Sequence, residues 1–514
     1  PDREGEAIAW HLQEALKLKN AQRVTYTEIT DQAVRAALNT PRSMDMALVK
    51  AQEGRRVLDR LVGYLVSGPL SQVAGEKLSA GRVQSPAARL VVERERAIRD
   101  FCSTTHYGAE LTFGKMDHIT DGWKAVWNPK PWLADGEDYL KDKTLATKAA
   151  ALRSLEVLDC AESESRTAPP PPFTTSSLQQ AASNALKFTP KRTMELAQRL
   201  YELGAITYMR TDSPNLSQEA VTAFRAYCEG QGWPVVETPR VWKSKAGAQE
   251  AHEAIRPTHC EIEEAGETEE EKALYRLIRL RSLACQLEDA VYAVRLLRLG
   301  AELDGRQAVF EAKGRALLSS GWKTLLQEDQ TEETETAPDN PVPAIKAGSA
   351  VTALDGAVLT HKTKPLPRFT EAGLVRELEK QGIGRPSTYA AILDTITKRG
   401  YVKTDKRFLV PTPLGEKLAD IVSKNFSFAD FGFTRDMEQE LDAIAEGKAD
   451  YKTIVSKAHD KLQDELSAFH KATGKVCPAC GKPMFRHKGK GKNGKAYDFW
   501  GCSGWPECRE TLHE

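Results

Sequence analysis

Two separated stretches of strand texture constrain this chain more than any other feature. From residue 107 to 158, and again from 290 to 358, short aliphatic and aromatic runs alternate with Gly, Asp and Pro turns. The two halves are expected to form one β domain. Between them, Pro169-Pro-Pro-Pro172 marks a stiff extended linker or domain entrance, since proline is excluded from helix interiors. A helical domain follows, with pieces at 176–186, 190–203 and 217–229.

Helical patterning also flanks the β halves. Acidic residues open the chain, followed by Ile8, Leu12 and Leu16 at spacing four, and the pattern persists to Arg99 with an interruption at Gly81-Arg-Val-Gln-Ser-Pro86. Beyond Thr370, segments 371–381 and 387–399 read as two helices joined by Gly-Ile-Gly-Arg-Pro, with Tyr389, Ile392, Leu393 and Ile396 at core spacing and Gly400 as the stop. A helix-turn-helix lobe is expected there. Segment 327–343, acidic and proline-rich, reads as a solvated loop.

At 514 residues the chain is long enough for three or four domains. Its 72 Lys+Arg balance 72 Asp+Glu, so any nucleic-acid surface must be local. No apolar run approaches membrane-spanning length, and the chain opens on Pro1-Asp-Arg-Glu without a signal segment. A soluble, cytoplasmic protein is expected, and the abrupt start without Met suggests an incomplete chain. Four of the nine cysteines form Cys477-x2-Cys480 and Cys502-x5-Cys508, the two knuckles of a four-cysteine zinc ribbon, with a pair of disulfides as the alternative. Eight Lys/Arg and no Asp or Glu occupy 471–495, near Tyr497, Phe499, Trp500 and Trp505. That patch suits single-stranded nucleic acid, or is a solvated loop beside an aromatic core.

Chemistry concentrates in Ile206-Thr-Tyr-Met-Arg-Thr-Asp-Ser213. If extended, Tyr208, Arg210 and Asp212 share one face, so a nucleophile and a cation could meet one phosphate. Tyrosine in ordinary packing beside a surface ion pair is the bland alternative. Asp2-Arg-Glu-Gly-Glu6 clusters carboxylates suited to magnesium, or simply to a helix dipole. Ala251-His-Glu-Ala-Ile-Arg-Pro-Thr258 carries His252, either structural or able to orient a phosphate and move a proton. Gly489-x4-Gly494-Lys495 imitates a phosphate loop, but Ala496 stands where Ser or Thr is required, so no nucleotide-energy site is expected.

Asp2-Arg-Glu-Gly-Glu-Ala-Ile-Ala-Trp-His-Leu, Ser79-Ala-Gly-Arg-Val-Gln-Ser, the Tyr208 and His252 segments and Gly382-Ile-Gly-Arg-Pro-Ser-Thr-Tyr together resemble type IA DNA topoisomerases, in the same order. Met209, His252-Glu253 and the ribbon resemble the bacterial topoisomerase I branch rather than topoisomerase III.

The resemblance implies a multidomain α+β torus. Its parts would be a Toprim remnant (1–45), a helical lobe (46–104, continued at 368–470), a β arch (105–168 and 285–367), a helical domain carrying the nucleophile (169–284) and the zinc ribbon (471–514). It implies ATP-independent relaxation of negatively supercoiled DNA, with Tyr208 linked transiently to a 5′ phosphate beside Arg210 and His252. Asp2 and Glu4 match the second and third acidic positions of the Toprim magnesium pattern, whose first Asp would precede Pro1. The cofactors implied are Mg2+ and Zn2+, and the partner is DNA engaged by a monomer. DNA contacts fall on Arg23, Arg55, Arg56, Tyr64, Ser79, Ala80, Gly81, Arg82, Val83, Gln84, Arg385 and Ser387. Without the upstream Toprim strand the chain is expected to bind DNA but relax it poorly. The rivals are a non-catalytic single-strand-binding protein and a Toprim nuclease or primase.

Overall fold

A computed structural model describes residues 2–114, 122–243, 253–326, 340–473, 477–482, 484–490, 496–502 and 504–513. Side-chain caps begin most of its helices. Asp2 caps α1 (Arg3–Leu16), accepting from the Gly5 amide, and Thr30 caps α2 (Asp31–Asn39). Asp45 caps α3 (Met46–Ala74), whose Val49, Leu58, Val62, Val66 and Leu70 are buried, and α4 (Gln84–Arg99) follows the loop at 79–83.

Chain crossing into the β region forms β1 (Thr105–Phe113) and β2 (Trp123–Trp127), then α5 (Lys143–Ala150) and β3 (Ser154–Thr167). The helical insert follows as α6 (Thr175–Ala181) with a π turn to Leu186, α7 (Pro190–Glu202), α8 (Gln218–Gly230) and α9 (Glu269–Ala284). Then come β4 (Ala290–Leu303), β5 (Arg306–Ser319) and β6 (Ala350–Lys362). All six strands close into one antiparallel barrel in the order β1-β2-β5-β4-β3-β6. Closure removes the sheet edges that either half would expose alone. Within the barrel Phe113 and Trp123 stack at 4.0 Å. The helix α5 breaks the expected strand run and presses its end onto β6, where a Cβ at Gly356 would lie 1.9 Å from the Ala150 carbonyl.

The remaining helices are α10 (Glu371–Gln381), α11 (Tyr389–Lys398), α12 (Pro413–Asn425), α13 (Phe431–Ala445) and α14 (Tyr451–Thr473), with the hairpin β7 (Val402–Asp405) and β8 (Phe408–Pro411) after α11. They share one core with α3 and α4, in which Leu70, Ala87, Leu374, Ile396, Leu418 and Phe469 are buried. A terminal sheet of β9 (Met484–Lys490), β10 (Ala496–Cys502) and β11 (Thr511–Leu512) carries the cysteine knuckles. The architecture is mixed α and β. No helix among the described residues is long and apolar enough to cross a membrane. Residues 327–339 of the acidic segment lie outside the described residues.

Trp123 is 1% exposed in the barrel core. Trp123→Ala is expected to destabilise the protein by about 3–5 kcal/mol, read as an earlier unfolding midpoint in denaturant at unchanged pH.

Candidate active site and nucleic-acid groove

Burial alternates residue by residue along the tyrosine segment: Thr207, Met209, Thr211 and Ser213 are buried, while Tyr208, Arg210 and Asp212 are partly exposed. This period of two is that of an extended chain with one anchored face. Thr175, at the start of α6, supplies part of the anchor: its hydroxyl donates to the Met209 carbonyl (2.7 Å) and accepts from the Thr211 amide (2.9 Å). On the free face the Tyr208 hydroxyl donates to Asp2 Oδ2 at 2.7 Å, and Arg210 Nη1 lies 3.6 Å from the same oxygen. The phenol ring meets Tyr201 edge-on at 5.3 Å between centroids.

Burial, then the charge and hydrogen-bond acceptance of Asp2, push the Tyr208 phenol well above its ordinary value, with Arg210 opposing them. Burial would also raise the Asp2 carboxyl. Donation by Tyr208 and the Gly5 amide, with nearby positive charge that includes Arg210, outweighs it and holds Asp2 below its ordinary value. At neutral pH the pair is therefore a protonated phenol on an ionised carboxylate. Asp2 caps α1 through Oδ1 and binds the phenol through Oδ2, so helix geometry sets where the acceptor stands.

The other acidic residues of this helix have separate tasks. Glu4 accepts from Ser387 (3.2 Å) and lies 3.5 Å from Arg55. Glu6, 1% exposed, is held by Arg42 at 2.8 Å, Arg23 at 3.1 Å and the Asp45 amide at 2.7 Å, a structural pin. Asp2 and Glu4 offer hard oxygens of the type magnesium takes. No group of three His, Cys, Asp or Glu side chains converges there among the described residues.

A groove of about 680 Å³ runs beside Glu4 and is lined by Arg56, Arg60, Tyr64, the loop 79–84 and Arg399. Tyr64 is 78% exposed. The loop is fixed from below: the Ser79 amide and carbonyl both bond the Tyr401 hydroxyl, the Ala80 amide donates to Ser67, and the Gly81 amide to Ser85. Gly81 leaves room that Gln84 fills, since a Cβ there would meet the glutamine side chain.

Three arginines expected at DNA have carboxylate partners within the fold. Arg82 is 2% exposed and bound to Glu438 at 2.6 Å and Asp59 at 3.0 Å, so its charge is neutralised inside the lobe. Both partners keep their charge despite burial, because each is the other's nearest counter-ion. Arg23 is engaged by Glu6, and Arg385 by Asp442 at 2.5 Å, whose other oxygen holds Arg3 at 2.7 Å. Glu438 and Glu6 are buried and Asp442 partly buried, and each competes successfully with solvent for its guanidinium. Arg55 is buried beside Glu4, and Arg56 lines the groove. His252 lies outside the described residues, as do Lys475, Lys492 and Lys495 of the basic patch.

Cys477, Cys480, Cys502 and Cys508 bring their sulfurs within 4.8 Å of one another and are unbridged. Separations of 3.7 Å (Cys477 to Cys508) and 3.4 Å (Cys480 to Cys502) are far beyond a disulfide bond. They approach the edge of about 3.8 Å that a tetrahedron of 2.3 Å zinc–sulfur bonds requires. The donor set fits zinc.

Sequence reading missed Tyr401, Glu438, Asp442 and Thr175, each of which holds a functional segment from far along the chain. Nothing local marks them, save the burial of Glu438 on the inner face of an amphipathic helix.

Comparison with known proteins agrees with this geometry. The family described as DNA topoisomerase matches residues 43–456, and the chain belongs to it. Its relatives are bacterial topoisomerases I. The plasmid DNA topoisomerase I of Xylella fastidiosa is 52% identical over 521 residues, covering 100% of this chain and 78% of that protein. DNA topoisomerase 1 of Pseudomonas aeruginosa and of Salmonella typhimurium are each 38% identical over the whole chain, which spans 60% of their length. Full-length topoisomerase I from Thermotoga maritima superposes with a TM-score of 0.79 at 32% identity, covering 99% of this chain and 83% of that one.

Glu438→Gln keeps the shape but removes the buried counter-ion of Arg82, leaving only the more exposed Asp59 to offset its charge. A loss of about 3–5 kcal/mol in unfolding free energy is expected by denaturant titration.

Proposed function

We propose that the protein relaxes negatively supercoiled DNA without ATP, by cleaving one strand through Tyr208, passing another strand and resealing the break. The observation that carries this reading is the Tyr208 hydroxyl on Asp2 with Arg210 at the same oxygen, in a chain of the DNA topoisomerase family. The Tyr208 oxygen forms the bond to phosphorus as the bond from phosphorus to the 3′ oxygen breaks. The phenolic proton leaves toward Asp2 and ends on the released 3′ oxygen. A carboxylate held below 3.8 is a weak base toward a resting phenol, so the proton moves only as the oxygen–phosphorus bond forms and the phenol acidifies. Arg210, 37% exposed, is free to turn its outer face to the phosphate. Religation is the reverse step, and the phosphotyrosine conserves the bond energy that makes ATP unnecessary.

His252, next to the Glu253 that braces the tyrosine segment, would orient the phosphate. Magnesium bound by Asp2 and Glu4 would neutralise phosphate charge. Zinc on the four cysteines would hold the ribbon, whose neighbouring basic and aromatic residues suit single-stranded DNA. The groove with Arg56, Tyr64, Ser79 and Gln84 would take the strand upstream of the break, and Ser387 would sit beside Glu4 at its entrance. In the torus this implies, the barrel is the arch, residues 1–45 the Toprim part, 169–284 the domain that swings with Tyr208, and the protein works as a monomer.

The test is covalent trapping. Labelled single-stranded oligonucleotide should remain on the protein after detergent denaturation, and Tyr208→Phe should abolish the retained label. Hydrolysis or synthesis with no adduct would overturn the reading in favour of a nuclease or primase, and binding alone would favour a single-strand-binding protein. Asp2→Asn is expected to slow adduct formation by about 10²–10⁴. Because the folded Asp2 carboxyl is depressed below 3.8, its contribution to stability is complete above that pH and fades only as pH falls through the lower folded value. Adduct yield should therefore show no acid limb from Asp2 between about pH 5 and pH 8.

A further inference from the structure

Three consecutive residues of the N-terminal segment, Thr27, Glu28 and Ile29, are docked along the tyrosine segment by three unlike contacts. The Thr27 carbonyl accepts from the Tyr208 amide at 2.7 Å. The Ile29 carbonyl lies against Gly204, where a Cβ would come within 2.4 Å of it and where φ is +71°, so only glycine permits the approach. Between them, Glu28 Oε2 accepts from Arg256 Nη2 at 3.0 Å, while its other oxygen accepts from the Thr30 hydroxyl at 3.1 Å.

Arg256 is itself built into the tyrosine segment. Its carbonyl accepts from the Thr207 amide at 2.9 Å, and its amide donates to the Thr207 hydroxyl at 3.0 Å. Its guanidinium grips Glu253 bidentately, Nε and Nη2 each at 2.8 Å, and donates to the Pro257 carbonyl at 3.0 Å. Glu253 in turn accepts from the Ser217 amide at 3.1 Å, at the cap of α8. The guanidinium side chain is 8% exposed and that of Glu28 20%. Arg256 thus holds the residue before Tyr208 through its backbone, while its planar cation joins Glu253, which caps the start of the helix after Tyr208, to the strap that bonds the Tyr208 amide.

We infer that Arg256 is a positioning residue for strand cleavage, and that its ion pair with Glu28 sets the register of Tyr208 against Asp2 by clamping residues 27–29 onto the tyrosine segment. Arg256 acts through Thr207 and Glu28, without touching the phosphate. The inference rests on the proposed nucleophilic role of Tyr208. It also identifies a joint that must part whenever the domain carrying Tyr208 moves away from the N-terminal segment.

Glu28→Ala, Glu28→Asp and Tyr208→Phe, made in the full chain, separate these claims. Amide exchange across 206–213 reads the clamp directly: Glu28→Ala should accelerate exchange at Tyr208, and Glu28→Asp should restore much of the protection. In the trapping assay Glu28→Ala should lower the covalent fraction by about ten- to a hundredfold, with oligonucleotide affinity unchanged, and Glu28→Asp should recover most of it. Unchanged exchange in Glu28→Ala overturns the clamp, whatever the assay yields. Accelerated exchange with an undiminished covalent fraction overturns the positioning role. Absence of any adduct in the unmodified chain, with Tyr208→Phe indistinguishable from it, counts instead against the nucleophilic role of Tyr208, and the exchange result still decides the clamp.

Discussion

One carboxylate organises this molecule. Asp2 caps a helix with one oxygen and accepts the Tyr208 phenol with the other, across 206 positions of sequence. A capped helix start is among the most rigid points on a backbone, because its orphan amide donors are satisfied and its geometry is set by the turn that follows. Placing the phenol's partner there fixes the hydroxyl without any freedom borrowed from a surface side chain. It also fixes protonation: the phenol is held as a donor and the carboxylate as an acceptor across the neutral range.

Charge is handled by two opposite strategies around this point. Beneath the groove Arg82 and Glu438 are buried as a pair, an arrangement that contributes little net stability yet penalises the loss of either partner heavily. Such a pair fixes the loop above it with its charges already matched. Above it, Arg56, Tyr64 and Arg399 line the open groove, where solvent screens the charges. Arg3 and Arg385 share the partly buried Asp442, which ties the N-terminal helix to the α10–α11 connection.

The barrel explains why the tyrosine domain is an insertion. Its strands come from both sides of residues 169–284, so the helical domain leaves and rejoins the barrel at one end, through β3 and β4. Those two strands pair over most of their length, from Thr167 with Ala290 to Glu156 with Gly300, with one register shift between Val157 and Asp159. β5 flanks β4 over the same stretch, from Ser319 with Val291 to Arg306 with Leu303, so the connection leaves from the edge of a sheet at least three strands wide. Direct bonds from Tyr208, Arg210 and Arg256 to residues 2–28 close the other side.

Much of this was legible in the sequence. Strand texture on both sides of a helical stretch announced the barrel's two halves, and the helices at 371–381 and 190–202 followed from apolar spacing and stop signals, because such patterns are local. The alternation of buried and open residues through Tyr208 was likewise written in its own neighbours, and cysteine spacing was enough to indicate a tetrahedral thiolate set. Which arginines the fold pairs with carboxylates was not legible. Arg82, Arg23 and Arg385 resemble Arg56 in sequence, and only the carboxylates that folding brings to them, Glu438, Glu6 and Asp442, decide that their charge is satisfied internally. By itself the sequence determined the kinds of chemical group, the local elements and the family. Tertiary structure alone decided which groups meet, because burial and counter-ion choice depend on segments hundreds of residues apart sharing one low-dielectric space.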